Sequence, residues 1–249
     1  MGDNKQPDIT VVYVHVLNDR HYAECATQFV DTYKKFPPGI THNTVIVENC
    51  GTSSESERHL FSELPNVTFM RHDNSGWDIG AYIYASKQLH CDMAVYFGAH
   101  AYFHREGWLK RMADVWMKCG PGFYGCTSTY YVRPHFNTTG IWTSPDSVAS
   151  YPHNVVTIKD RYEFEHGEHA CWFLVNQQHK PTMLVTWDGE WNWRDWRKPQ
   201  NLYNRGDQTN CLVWNKHNDY YKALSVSEQA RHRALADTLT DKEFTSMIV

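Results

Sequence analysis

Across residues 8–70 the chain alternates short apolar runs with polar stretches of helical period, and this alternation constrains the fold more than any other feature. Residues 8–16, DITVVYVHV, are β-branched and apolar, the pattern of a buried strand, and the polar 17–20 stretch ends it. A helix is expected from about Tyr22 to Lys35. Ala23, Ala26, Phe29, Val30 and Tyr33 lie on one face, and Phe36-Pro37-Pro38-Gly39 stops it. A second strand, 43–48, runs into Asn49-Cys50-Gly51-Thr52-Ser53-Ser54. A helix through Leu60 to Leu64 and a third strand, 66–70, follow. Strands and helices alternating at this spacing imply βαβ crossovers and a mostly parallel sheet. A ligand then lies outside the carboxyl ends of the strands, so the loops 17–20, 49–54, 72–80 and 98–105 are its candidate walls.

From about Cys119 the pattern changes. Gly120-Pro121-Gly122, Arg133-Pro134, Ser144-Pro145 and Tyr151-Pro152 cut the chain into short pieces, with a helix expected at 168–178 and a strand at 182–187. This half is expected to build on the same sheet without a separate linker. The tail from Ser225 reads as a polar helix whose Leu235/Leu239 spacing suits packing on the body.

The 249 residues suit one large α/β domain or two small ones. No apolar run approaches the ~20 residues a membrane span needs, and the opening MGDNKQPD lacks the basic and apolar regions of a signal peptide. A soluble cytoplasmic protein is the expectation. A net charge of −4 gives no general affinity for nucleic acid or anionic membrane. The seven cysteines contain no CxxC pair, which favours reduced thiols over a disulfide framework or a structural zinc site.

Residues 74–109, NSGWDIGAYIYASKQLHCDMAVYFGAHAYFHREGWL, read as a Gly-punctuated turn, a short helix, a buried strand, a polar loop and a helix opening at Gly107-Trp108-Leu109. In that order they resemble the centre of a GT-A-type glycosyltransferase. The resemblance, to the large inverting (family 2-like) nucleotide-sugar transferases, extends over roughly 11–211. It implies a GT-A-like, Rossmann-like α/β fold: a mostly parallel sheet flanked by helices, with an acceptor-side subdomain. One domain is expected, with a nucleotide-sugar-binding half at about 8–118, an acceptor-side half at about 119–222 and a helical tail at 225–249.

The resemblance also assigns residues. The family's second strand ends in an acidic turn that holds base and ribose, and Glu48 and Asn49 match its polar positions. The plainer alternative is a turn that only reverses the chain. The family's Asn-x-Gly element corresponds to Asn74-Ser75-Gly76, followed by Trp77-Asp78-Ile79-Gly80. There Gly76 and Gly80 permit close backbone approach, and Asp78 either caps the helix or reaches a ribose hydroxyl.

The main departure is at the end of the strand Met93–Phe97. The family's metal-binding DxD stands there, and this chain has Gly98-Ala99-His100-Ala101. Hard cations bind poorly to a Gly/His pair. Either cations such as His100, His104, Arg105 and Arg205 meet the diphosphate, or Mn²⁺ or Mg²⁺ is held with fewer protein ligands. For the general base, the family's acidic pair at a helix start corresponds to Glu168-His169, which makes Glu168 the first candidate and Glu165 the second. A zinc pair of His166 and His169 lacks the His-Glu-x-x-His pattern.

Two polar runs complete the assignment. Tyr203–Asn210 in the chain, YNRGDQTN, is similar to the element closing the sugar site in several such enzymes, with Arg205 implied at the diphosphate and Asp207 at a sugar hydroxyl or as base. In Trp187-Asp188-Gly189-Glu190-Trp191-Asn192-Trp193, the rings of Trp187, Trp191 and Trp193 suit stacking on a pyranose, while Asp188 and Glu190 suit its hydroxyls. A loop packed down by large rings is the alternative. The expectation is a transferase moving a sugar from a nucleotide-diphosphate sugar, a UDP-sugar foremost, to a hydroxyl of a glycan, with inversion. A non-catalytic glycan-binding protein on a degenerate scaffold and a retaining transferase are the alternatives.

Overall fold

The computed structural model describes residues 6–131, 133–202 and 204–237. The first half runs β1 (Ile9–Val16), α1 (Arg20–Lys35), β2 (Asn43–Asn49), α2 (Glu55–Phe61), β3 (Val67–His72), α3 (Trp77–Ser86), β4 (Met93–Phe97) and α4 (Trp108–Cys119). The second half is built of shorter pieces. These are β5 (Phe123–Gly125), β6 (Ser128–Thr129), β7 (His135–Phe136), β8 (Ile141–Thr143), α5 (Pro145–Ala149), α6 (Ile158–His166), α7 (Cys171–Gln177), β9 (Thr182–Val185), β10 (Glu190–Asn192), α8 (Lys216–Ala223) and α9 (Val226–Ala236).

Eight strands form one sheet in the order β10-β9-β5-β8-β4-β1-β2-β3, and β6 with β7 makes a separate ribbon. β1 pairs in parallel with both β2 and β4, with Val11 opposite Thr44 on one side and Val95 on the other. Only β8 and β10 run against the common direction, so the sheet is mostly parallel, as the strand–helix alternation implied. β8 also joins β4 to β5, which places β5, β8, β9 and β10 on the same sheet as the first half.

The alternation along β1 explains the layering. Ile9, Val11 and Tyr13 face a core formed with α1, α2 and α4. Val12 and Val14 face a second core formed with α3, α5, α6 and α7. A strand covered on both sides is apolar throughout, and this is why ITVVYVHV shows no polar face. Trp108 anchors the first core: it is fully buried, stacks on Phe103 at 4.0 Å and donates its indole N–H to the Phe36 carbonyl at 3.1 Å.

Local chemistry sets the boundaries. Asp19 accepts from the His21 N–H to open α1, and Ser54 forms a reciprocal capping box with Glu57 to open α2, which ends at Phe61 and so lies mostly before the expected 60–64 span. The helix expected at 168–178 is shorter and starts later: α6 ends at His166 and α7 runs from Cys171 to Gln177, so Glu168 and His169 lie in the connection between them. Ser225 caps α9, and Leu239 lies outside the described residues. All seven cysteines are free thiols. Among the described residues no helix is long and apolar enough to cross a membrane.

Candidate active site

The strand order turns back between β1 and β4: β2 and β3 extend the sheet on one side, β4 and its neighbours on the other. At such a switch point the loops leaving the carboxyl ends diverge and open a crevice. A cleft of about 780 Å³ occupies that place, floored by Val14, Val16 and Gly98-Ala99-His100 and walled by the β6–β7 ribbon, α6 and the starts of α3 and α8.

The turn into α3 is tightly folded. Asn74, Gly76 and Trp77 all have positive φ, at 70°, 70° and 55°. A bulky residue in this region is strained, and surrounding contacts must hold it. They do: Asn49 donates to the Asn74 side chain at 3.0 Å and to the Trp77 carbonyl at 3.4 Å, and the Gly76 N–H bonds the Val156 carbonyl at 3.2 Å. The approach is too close for a side chain, since a Cβ on Gly76 would lie 2.3 Å from the Val155 oxygen and one on Gly80 1.8 Å from the Ser75 oxygen. Trp77 is held with its ring at the cleft, 43% exposed.

Asp78, in the first turn of α3, meets Arg161 and Glu165 of α6. These two are i,i+4 neighbours and therefore project from one face. The Arg161 Nη2 donates to Asp78 Oδ2 at 3.4 Å, and its Nε lies 3.0 Å from Oδ1. Arg161 thus acts on both carboxyls, with Lys216 adding to it at Asp78. Burial pushes the Glu165 carboxyl up to about 7; Asp78 pushes the same way and Arg161 opposes. Burial also raises the Asp78 carboxyl, again against Arg161. Asp78 accepts from the adjacent Ile79 N–H at 3.1 Å, and Gly76, which opens the helix, has no side chain to cap it.

The end of β4 is shaped by this cluster. A Cβ on Gly98 would lie 3.1 Å from Thr139 Oγ1 and 3.5 Å from both Asp78 Oδ2 and the Tyr82 hydroxyl. A side chain there would press on Thr139 and stand in contact with the Asp78 carboxyl of α3. His100 points its Nδ1 at Cys25 Sγ, 3.2 Å away. Burial, then Lys216, His21 and His217, lower its pKa to about 4, so it is neutral near pH 7. This corrects the expectation that His100 meets a diphosphate as a cation. Mn²⁺ or Mg²⁺ bound as at a DxD also fits poorly, because Gly98-Ala99-His100 offers no carboxylate and Asp78 is engaged by Arg161.

The cleft gathers Asn74, Asp78, His100 and Glu165 from the residues singled out in the sequence. The others lie elsewhere, each for a visible reason. Glu48 is fully buried and accepts from the Ser53 N–H at 3.0 Å and from Arg58 at 3.0 Å, with Arg71 3.8 Å away. Burial alone would raise its pKa, but Ser53 and Arg58 outweigh this and hold it low. Its carboxylate thus fastens the β2–α2 loop. Asn49 is also fully buried and acts one layer behind Asn74.

Glu168 is 74% exposed and pairs with Arg133 at 3.3 Å, outside the cleft. Asp207 closes its own turn by accepting from the Thr209 N–H and hydroxyl, and Arg205 is bound to Asp237 at 2.8 Å and the Arg197 carbonyl at 2.6 Å. From that run it is Asn204 that lines the cleft. Of the other proposed cations, His104 stacks on Trp214 and Arg105 lies over the Trp187 ring. His166 stacks on Tyr162 while His169 contacts Glu163, so these two histidines do not converge.

The side chains of the aromatic run are bonded within the fold. Glu190 is tied to Arg111 at 2.7 Å and Lys118 at 2.8 Å, Asp188 accepts from Thr186 and Asn210, and Trp191 donates to Thr186. Trp187 donates to the Cys211 carbonyl, and the Trp193 carbonyl accepts from Tyr130. These residues dress the far edge of the sheet, and none lines the cleft. The aromatic rings at the cleft are Tyr22, Trp77, Tyr131 and Tyr162, with Lys216 and His217 supplied by the start of α8. Sequence reading missed Arg161, Lys216 and His217. The Thr157/Asp160 and Asn215/Asn218 capping boxes were signals for the two helices that carry them.

No family model and no curated protein matches the chain. Among solved structures it is similar to a mannosyltransferase from Pyrobaculum calidifontis in complex with GDP-mannose and Mn²⁺, at 15% identity and a TM-score of 0.46, covering 59% of this chain and 47% of that one. It is also similar to S. aureus TarS 1–349 in complex with UDP-GlcNAc, at 13% identity and a TM-score of 0.45, covering 62% and 51%. A third is the galactosyltransferase LgtC with donor and acceptor sugar analogues, at 11% identity and a TM-score of 0.41, covering 59% and 60%. The chain spans about half the length of the first two of these structures.

Proposed function

We propose that this protein transfers a sugar from a nucleotide-diphosphate sugar to a hydroxyl acceptor such as a glycan, with inversion, and that Glu165 is the general base. The observation carrying this is the carboxyl of Glu165, enclosed beside Asp78 and Arg161 in the switch-point cleft and raised to about 7. A base is most effective when its pKa is close to the working pH. The acceptor O–H gives its proton to Glu165 and its oxygen bonds to the anomeric carbon. The bond from that carbon to the diphosphate breaks, and the electron pair leaves on the nucleoside diphosphate. Positive charge at the start of α8, from Lys216 and the helix terminus, suits the departing anion. Tyr22, Trp77 and Tyr162 offer ring faces to a base or sugar, and Asn74 offers an amide to ribose hydroxyls.

The volume of about 780 Å³ lies within the usual range for small-molecule sites, about 300–1,000 Å³. The test is calorimetry with UDP, GDP and their sugars on the wild type and on Asp78→Asn and Trp77→Ala. Binding by the wild type that weakens at least tenfold in either variant supports the reading. No binding of any nucleotide diphosphate or nucleotide sugar would remove it.

A further inference from the structure

We propose that His21, Cys25 and His100 form a binding site for a divalent transition-metal ion of the zinc class at the edge of the cleft. His21 and Cys25 are one turn apart on α1 and share a face. β4 lies beside β1, the strand that leads into α1, so the loop leaving β4 brings His100 up to that face. Cys25 Sγ is 3.8 Å from His21 Nε2 and 3.2 Å from His100 Nδ1, and the three donor atoms all lie within 4.8 Å of one another.

A tetrahedral zinc ion, with bonds of about 2.0–2.1 Å to nitrogen and about 2.3 Å to sulfur, sets its ligand atoms roughly 3.3–3.6 Å apart. The two distances from Cys25 Sγ, 3.8 and 3.2 Å, bracket that spacing. Thiol–imidazole hydrogen bonds and the His21–His100 ring contact at 5.1 Å hold the same three side chains together when no ion is bound. One thiolate and two imidazoles select zinc-like ions over Mg²⁺ and Mn²⁺, whose preferred oxygens are missing here.

Three protein ligands leave a fourth position for water, the arrangement of open zinc sites. His21 is exposed and gives the ion an entry path, while Cys25 is 8% exposed. Asp19 and Glu24 bring negative charge near Cys25, and Lys216 opposes them from α8. The proposal is independent of the transferase reading because metal binding, not sugar transfer, is what it must show.

The experiment uses the full chain, reduced and stripped with a chelator, titrated with Co²⁺ and then Zn²⁺. The expected result is stoichiometric Co²⁺ binding with a thiolate-to-cobalt charge-transfer band in the near ultraviolet, displaced by Zn²⁺ and not by Mg²⁺. Cys25→Ser should abolish the band. His21→Ala, a change at an exposed position with no folding cost expected, should weaken Zn²⁺ binding by more than the roughly 10–100-fold that loss of an outer-shell partner costs. Thermal melts establish that each variant is folded, and His21→Ala decides the matter if Cys25→Ser is not. Absence of the band in the wild type, or Zn²⁺ affinity unchanged in His21→Ala, would overturn the site.

Discussion

Replacing Glu165 with Gln separates a half-buried, proton-holding carboxyl from an ordinary one. Gln keeps the shape and removes the ionisation. Moving the carboxyl from 4.5 to about 7 corresponds to a ceiling of about 3 kcal/mol against its charged form. The folded state keeps this proton at pH values where the unfolded chain has lost it. Folded-state stability from the neutral carboxyl is therefore fully present below about 4.5 and is lost as the pH rises through about 7. Gln carries no such loss. At pH 8 the variant should be the more stable protein, by up to roughly 6–12 °C in melting temperature if the whole ceiling is realised. At pH 4 the two should melt alike. The assay is thermal unfolding of both proteins from pH 4 to pH 8.5, with nucleotide-sugar turnover followed over the same range. Turnover should rise with pH through an apparent pKa near 7 in the wild type, and fall by roughly 10²–10⁴-fold in Glu165→Gln. A melting difference that does not vary with pH would refute the burial argument, and near-normal turnover would refute the assignment of the base.

Three further outcomes follow from the geometry. Glu168→Gln should leave turnover within about twofold, because its carboxylate is mostly solvent-exposed and bonded to Arg133; steady-state kinetics beside Glu165→Gln makes the comparison, and a large loss would return the base to Glu168. Glu48→Ala should cost about 1.5–3 kcal/mol in denaturant unfolding, less than breaking a fully buried pair, since Arg58 and Arg71 remain 40% and 68% exposed and can be hydrated. Gly98→Asp should weaken nucleotide-sugar binding in calorimetry and should not create Mn²⁺ dependence, because the new side chain meets Thr139 and faces the Asp78 carboxyl; stronger binding with Mn²⁺ would show that reasoning wrong.

What the sequence determined by itself was the part written in local chemistry. The unbroken apolar run of β1, the one-sided pattern of α1 with its Pro37-Pro38 stop, and the opening of α4 at Trp108 after Gly107 all reflect neighbours a few residues apart. The parallel order of β1, β2 and β3 follows from their crossovers, and with it the side of the sheet on which a ligand belongs. Gly76, Asp78 and Glu165 were legible as residues of interest, but their environment was not. Asp78 and Arg161 are 83 positions apart in the chain, and only the packing of α6 against α3 makes one guanidinium answer to two carboxyls. The same limit explains Trp187–Trp193, whose composition suits a sugar site equally well as a packed edge; only the strand order places β9 and β10 at the end of the sheet, away from the β1–β4 switch point. It also explains Cys25 and His100, which no spacing rule connects. Local propensity sets elements through short-range sterics and hydrogen bonds. Charge, proton affinity and ligand geometry depend on which distant segments enclose a group, and tertiary structure alone decides that.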